Sequence, residues 1–512
     1  MDNQSQGSAV LTPQRLLGIR RGLEKESLRV QPDGHLATTP HPRALGSALT
    51  HPHITTDFSE SQVELITGVH SGVQDCLDEL AAVQQFTLRS LGSETLWVSS
   101  MPCCLPEDQA IPLGYYGESN VGRAKTVYRN GLGFRYGRRM QTISGIHYNW
   151  SLPGVSSEAY FALIRNFRRH AFLPLVLFGA SPAVCSTFVA GRPHPLQPLV
   201  PGTLYLPHAT SLRMGRLGYQ SDAQGSLAVS YNSLQGYAAS LQAALTRPYP
   251  AYEAIGVRDS AGNYRQLQTS LLQIENEFYG SIRPKRVIFP GERPLHALRE
   301  RGVEYVEVRL MDLDPMLPLG ISAQTLRFLD VFLLHCQQTP SPPDSPEEIA
   351  ATARNQHKVA ERGREPGLVL ERGGQSVALR EWGLSLLHAL EPYAQQLDAA
   401  HASSDYSAAV QAALAALDRP DTLPSARVLQ AMHSDYRGSF VDFALARSLD
   451  LREQALAQPL AAQELALRQQ ESLASLQEQS AIESADTMPF DIYLKEYLSP
   501  DRLLARPVSA MA

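Results

Sequence analysis

The chain has 512 residues, of which 43% are hydrophobic and 19% charged, with a formal net charge of −6. That is enough apolar material for a large core, in one big domain or a few smaller ones. The acidic balance argues against bulk attraction to nucleic acid or to an anionic membrane.

The lead MDNQSQGSAVLTPQRLL lacks the apolar stretch of a signal peptide. The most apolar run, FLPLVLFGASPAV from Phe172, is too short to span a bilayer and reads as a buried core segment. Cys76, Cys103, Cys104, Cys185 and Cys336 are scattered and form no CxxC pair, which suits reduced thiols. A cytoplasmic globular protein is expected.

In chain order, the first chemistry-bearing stretch is RRGLEKESLRV (20–30). A strand period sets Glu24 and Glu26 on the face of Leu28 and Val30, with Lys25, Ser27 and Arg29 opposite. Like charges one pleat apart repel and resist desolvation. Either that face is wet or a cation sits against it. Next comes HPHITTD, where His51, His53 and Asp57 could hold zinc. Pro52 weakens a strand there, and the chain lacks the strand–helix rhythm of a barrel hydrolase. In TTDFSESQVELIT (55–67), Asp57, Glu60 and Glu64 add carboxylates, and a strand through QVELIT puts Glu64 with Gln62 and Ile66.

From Gln74, QDCLDELAAVQQFTLRSL has helical apolar spacing. The basic stretch NVGRAKTVYRNGLGFRYGRRMQ (120–141), interleaved with Gly, Tyr and Asn, reads as a loop that closes over an anion, as does YGSIRPKRVIFPGE (279–292). In SGIHYNWSL (144–152), His147 and Asn149 share one strand face while Tyr148 and Trp150 take the other. GTLYLPHATSL is β-rich. In GVEYVEVRLMDLDP (302–315), Val306, Val308 and Leu310 make a core face, and Tyr305, Glu307 and Arg309 a polar one. The segment 337–348, QQTPSPPDSPEE, is a Pro/Ser/acidic connection, and residues 349–512 favour packed helices over a long coiled coil. The expected organisation is an α+β body over 1–336, that loop, and a mainly helical 349–512 packed on the body as one fused unit.

An isolated ExE on a strand is most often a solvated edge, and a lone histidine most often a hydrogen-bonded core or surface residue. Several strand carboxylates with one imidazole nevertheless form a ligand inventory for Mg²⁺ or Mn²⁺. Beside basic stretches, they suit phosphoryl transfer from Mg-ATP. No GxxxxGK[ST] occurs and no GxGxxG follows a strand.

GIRRGLEKESLRV, TTDFSESQVELIT, GESNVGRAKTVYRNGLGFRYGRRMQTISGIHYNWSLP, LFGASPAVCSTF, LQIENEFYGSIRPKR and GVEYVEVRLMDLDP closely resemble, in that order, the proteobacterial type of glutamate–cysteine ligase. The resemblance implies a fold like that of glutamine synthetase and the guanidino kinases: an antiparallel sheet curved into a funnel, with surrounding helices. It implies joining of the γ-carboxylate of glutamate to the amine of cysteine at the expense of ATP, the first step of glutathione synthesis.

By position, Glu24, Glu26, Asp57, Glu64, His147 and Glu307 resemble the ligands of Mg²⁺ or Mn²⁺, and Arg309 the cation on the transferring phosphoryl group. Phe58, Tyr128, Arg129, Leu132, Gln141, Tyr219 and Tyr279 resemble the wall of the cysteine pocket, and Arg213 the residue that holds the glutamate carboxylate. Lys285 and Arg286 are candidates for the ATP phosphates. Lys25, between the paired glutamates, departs from the family pattern, and in the strand reading it points away from them. A monomer with small-molecule substrates only, and no nucleic acid or membrane partner, is expected. Two alternatives stay open: a γ-glutamyl ligase for another small amine, and a non-catalytic metal or nucleotide sensor.

Overall fold

The computed structural model describes residues 10–218, 227 and 229–505. Its centre is an antiparallel sheet ordered β2-β3-β1-β5-β10-β9, with β4 paired to the far end of β1. These strands are β1 (Arg20–Val30), β2 (Ile54–Thr56), β3 (Gln62–Ile66), β4 (Thr95–Leu96), β5 (Ile146–Ser151), β9 (Ile282–Lys285) and β10 (Tyr305–Met311). A small sheet joins β6 (Ala183–Cys185), β7 (Gln197–Val200) and β8 (Thr203–Tyr205).

Alternation decides what each strand face meets. Leu23, Val63, Leu65, Tyr148, Trp150, Val306 and Val308 point to one side and enter the main core. Helices α1 (Val73–Ser90), α3 (Ser157–His170) and α4 (Ala323–Gln338) supply much of its other wall, and α6 (Leu379–His401) extends it. The core therefore runs unbroken from the sheet into the C-terminal helices. The other side of the sheet carries the carboxylates. On β1 that side changes character along its length: beyond Glu26, Leu28 and Val30 enter a second core with Trp97 and Phe440. A strand face with acids at one end and aliphatics at the other is thus wet at one end and dry at the other.

Lys25 does point away from the glutamates, but into protein. It is 2% exposed and its Nζ donates to Gln84 Oε1 of α1. Arg21 and Arg29 on the same face have carboxylate partners, Asp330 at 3.0 Å and Glu94 at 2.6 Å, whereas Lys25 has a neutral amide. Burial pushes its ammonium down to about 7. The native state thus disfavours this proton, at a cost present in full below about pH 7 and relieved as pH rises toward 10.5. Lys25→Met is expected to stabilise the protein by about 2 kcal/mol near neutral pH. It should also flatten the rise in stability on the alkaline side, which denaturant melts across pH would show; a melt lowered by the substitution would contradict this.

Two stretches differ from the sequence reading. Residues 120–136 form a helix, α2 (Asn120–Tyr136), capped by Ser119, whose hydroxyl accepts from Gly122 N–H. Its glycines serve close approach: a Cβ on Gly122 would lie 2.3 Å from the Tyr116 carbonyl, and one on Gly131 2.2 Å from Gln273 Oε1. Likewise, residues 282–285 of the second basic stretch are strand β9. The C-terminal region is helical apart from a hairpin, β11 (Val369–Arg372) with β12 (Gln375–Ala378), turning on Gly373 and Gly374, both at positive φ. Helix α4 continues through Gln338, and α5 (Pro346–Arg362) begins behind its cap Ser345, so the connection is 339–345. No helix among the described residues is long and apolar enough to cross a membrane.

Candidate active site

Strand register brings the acidic side chains together. Glu24 pairs with His147 across β1 and β5, Glu26 with Glu64 across β1 and β3, and Glu307 with Asn149 and Arg283 across β10's two neighbours. Directly opposed residues share a face and lie within side-chain reach. Asp57 follows β2 at the same mouth. The result is a cavity of about 450 Å³ with Glu24, Glu26, Asp57, Glu64, His147 and Glu307 on one wall.

Inside it, Glu24 accepts from Asn149 Nδ2 at 2.8 Å through Oε1, and its Oε2 lies 3.0 Å from His147 Nδ1. Glu26 Oε2 accepts from Gly145 N–H at 2.7 Å. Gly145 is required by proximity: a Cβ there would sit 2.1 Å from the Arg213 guanidinium. Burial, then Glu24, Asp57 and Glu26, hold the Glu64 carboxyl well above its ordinary value. Burial and Asp57 push Glu26 up to about 8 against the pull of Arg213 and Arg309. Glu307 behaves oppositely. Burial opposes its charge, but Lys285 Nζ at 2.8 Å and Arg309 Nη1 at 3.0 Å hold it well below the carboxylate range.

A metal fits these residues. Donor atoms of Glu24, Glu64 and His147 lie within 4.8 Å of one another. His147 is buried and, through desolvation, stays neutral. Its Nε2 has no hydrogen-bond partner among the described residues and stands 3.5 Å from Glu26 Oε1. An orphan imidazole nitrogen among crowded carboxylates is the donor set a hard dication relieves.

Further lining comes from α2 and the segment after it, from the stretch behind β2 and from the stretch before β9. Phe58, Tyr128, Arg129, Leu132, Gln141 and Tyr279 line the same cavity. Gln141 Nε2 donates to the Tyr279 hydroxyl at 2.9 Å, and Arg129 lies 4.3 Å over the Tyr116 ring while its Nε donates to the Asp57 carbonyl. Burial, then Glu277 and Tyr279, keep the Tyr128 phenol well above its usual range, hence neutral.

Two proposed residues are not brought to the wall. Arg213 is 1% exposed and packed behind Gly145, donating to the Arg309 carbonyl at 2.8 Å, with Asp312 at 3.9 Å. Arg286 turns outward to the Arg301 carbonyl and Glu304. On β9 the period is two, so Arg283 and Lys285 share the cavity face, and Arg283 is the residue the RPKR reading missed. Tyr219 lies outside the described residues. Glu60 is spent on the backbone N–H groups of His41 and Tyr115. His51 caps the N–H groups of His53 and Ile54, while His53 turns to Glu79 and Glu471, so the HxH pair does not converge.

Sequence reasoning also missed Asn149's grip on Glu24, Lys125 and the C-terminal helix α7 (Phe490–Tyr497). Lys125, pushed down to about 8 by burial, lines the cavity 5.1 Å from the Tyr116 ring. Tyr493 and Tyr497 of α7, stacked at 5.8 Å, close one side of the cavity. The β5 alternation already placed Asn149 beside His147, whereas nothing local marks α7.

Comparison with known proteins identifies the chain's relatives. The family model described as glutamate-cysteine ligase matches residues 9–359. Glutamate–cysteine ligase of Saccharophagus degradans is 48% identical over 94% of both chains, and that of Pseudomonas paraeruginosa 48% over 93% of both. The crystal structure of glutamate–cysteine ligase from Francisella tularensis in complex with AMP superposes with a TM-score of 0.89 at 35% identity, covering 94% of this chain and 97% of that one. A bifunctional glutathione synthetase from Pasteurella multocida gives 0.69 at 26% identity, with 89% of this chain matched to 56% of that one. The family model and relatives of this identity, matched over nearly the whole chain, lead to one conclusion: the chain belongs to the glutamate–cysteine ligase family.

Proposed function

We propose that the protein joins the γ-carboxylate of L-glutamate to the amine of L-cysteine, with ATP converted to ADP, as the first step of glutathione synthesis. The observation that carries this reading is the convergence of six ligand-type side chains with Lys285 and Arg309 in one cavity that Phe58, Tyr128 and Tyr279 also line. A bare carboxylate is a poor acyl donor, so its activation as a γ-glutamyl phosphate precedes attack by the amine.

In this scheme Glu24, Glu26, Asp57, Glu64, His147 and Glu307 would hold Mg²⁺ or Mn²⁺, and bound dications would offset the charge of the triphosphate and of the transferring group. Arg309, held through one nitrogen beside Glu307 and His147, would present its guanidinium to the transferring phosphoryl oxygens. Lys285 does the same for the nucleotide phosphates, with Arg283 beside it on the strand. Phe58, Tyr128, Leu132, Gln141 and Tyr279 form the acceptor pocket, where aromatic walls suit a polarizable thiol. Arg129 lines the same pocket, its guanidinium tied to the backbone carbonyls of Asp57, Lys125 and Thr56. For Arg213 the glutamate role rests on the resemblance, since its guanidinium lies behind Gly145. Tyr219 keeps its role on the same ground.

The test is phosphate release by purified protein with glutamate, Mg-ATP and a choice of acceptor. Release is expected to need both amino acids and the metal, with cysteine preferred over 2-aminobutyrate and strongly over ammonia. A preference for ammonia would replace cysteine as the acceptor. No release by folded protein would make the chain a sensor.

A further inference from the structure

A larger cavity lies away from the catalytic one. It measures about 640 Å³ and is enclosed by the C-terminal ends of α3 and α4, the start of α5, the β11–β12 turn and α6. Three rings, those of His170, His335 and Trp382, stand in a lining that is otherwise largely polar. His170 sits edge-on to Trp382 with ring centroids 6.3 Å apart and 6.1 Å from His335. Phe172 backs the indole at 4.4 Å.

The charges at its walls are mostly spent on one another. Arg169 forks onto Glu348 through two bonds of 2.6 and 2.9 Å, and Glu371 takes Arg354 at 2.6 Å and Lys358 at 3.7 Å. Glu347 is exposed in the first turn of α5. Arg372 differs. It has no acidic partner among the described residues, and its guanidinium lies 5.1 Å from the Trp382 ring centroid. A guanidinium held on an indole face keeps its in-plane N–H fork free for a carboxylate. The imidazoles add uncharged polar groups: burial, with His335 and Arg372, pushes His170 down to about 3, and burial brings His335 to about 4. His170 Nδ1 is enclosed without a hydrogen-bond partner among the described residues. A cavity that combines three rings, a few polar groups and one cation without an acidic partner has the make-up of a small-molecule pocket.

We propose that this cavity is a second binding site, for a small planar carboxylate: its carboxylate forks onto Arg372 and its ring packs among Trp382, His170 and His335. None of these residues belongs to the catalytic cavity.

The three tryptophans make the test direct. Trp97 and Trp150 are 0% exposed in other parts of the core, so ligand-dependent emission from Trp382 can be isolated. Full-length protein is titrated with benzoate and nicotinate while tryptophan fluorescence is read, with benzamide and cyclohexanecarboxylate as controls for the charge and the ring. A saturable change is expected for the planar acids, at least about tenfold weaker binding for both controls, and loss of the signal in Trp382→Phe. Arg372→Ala, on an exposed hairpin, should weaken binding about tenfold while phosphate release and melting temperature stay at wild-type values. A linear, unsaturable change would overturn the proposal. So would a saturable one that survives in Trp382→Phe or is indifferent to Arg372→Ala.

Discussion

Glu64→Gln and Glu307→Ala are expected to stop turnover alike and to move stability in opposite directions. Each removes a carboxylate from the proposed metal wall, and loss of several kcal/mol of charge stabilisation corresponds to a rate loss of about a thousandfold or more. Their surroundings differ in sign. Glu64 is crowded by Glu24, Asp57 and Glu26, so its folded-state carboxyl titrates well above the unfolded one. A raised carboxyl costs nothing while protonated in both states, and stability is lost as pH climbs from the unfolded toward the folded value. Glutamine removes that loss, so metal-free Glu64→Gln should melt no lower than wild type in mild acid and higher in alkali. Glu307 is the anion between Lys285 and Arg309, and its removal leaves two cations in a desolvated wall. Its alanine variant should be less stable by about 3 kcal/mol. Paired melts and rates decide it; equal melts for the two variants would remove the electrostatic account of this wall.

Arg309→Lys is expected to cost a factor of about 10² to 10³ in kcat with much smaller changes in the KM values. The guanidinium places one nitrogen 3.0 Å from Glu307 and 3.3 Å from His147 in the lining of the cavity. An ammonium is a point charge that can satisfy Glu307 but cannot also present a fork to phosphoryl oxygens. A loss confined to KM would assign Arg309 to ground-state binding instead.

Much of this site was legible because strand alternation is a rigid rule. Glu24 with Glu26, His147 with Asn149, and Glu307 with Arg309 all fall on the face their spacing demands, opposite Leu23, Tyr148 and Val308. Which strands neighbour one another is not local information. That Glu24 and His147 belong to one site came from the resemblance, and the pairing of β1 with β5 now sets them side by side in physical terms. Glycine-rich 120–136 read as a loop because glycine lowers helix propensity. The close packing that overrides propensity at Gly122 and Gly131 involves Tyr116 and Gln273, which a local window cannot see. Adjacent basic residues misled in RPKR, where Lys285 and Arg286 must diverge on a strand. The hairpin at 369–378 was masked by the Ala/Leu-rich sequence around it, although Gly373-Gly374 is a turn signal. Tyr493 and Tyr497 reach the cavity only through the docking of a helix far along the chain.

The central claim is that these carboxylates and His147 form one dication site facing the triphosphate. Anomalous scattering from crystals grown with Mn²⁺ and a non-hydrolysable ATP analogue measures it directly. Peaks are expected between Glu24, Glu64 and His147, with the analogue's phosphates toward Lys285 and Arg309. A bound nucleotide with no peak within coordination distance of those side chains would contradict it.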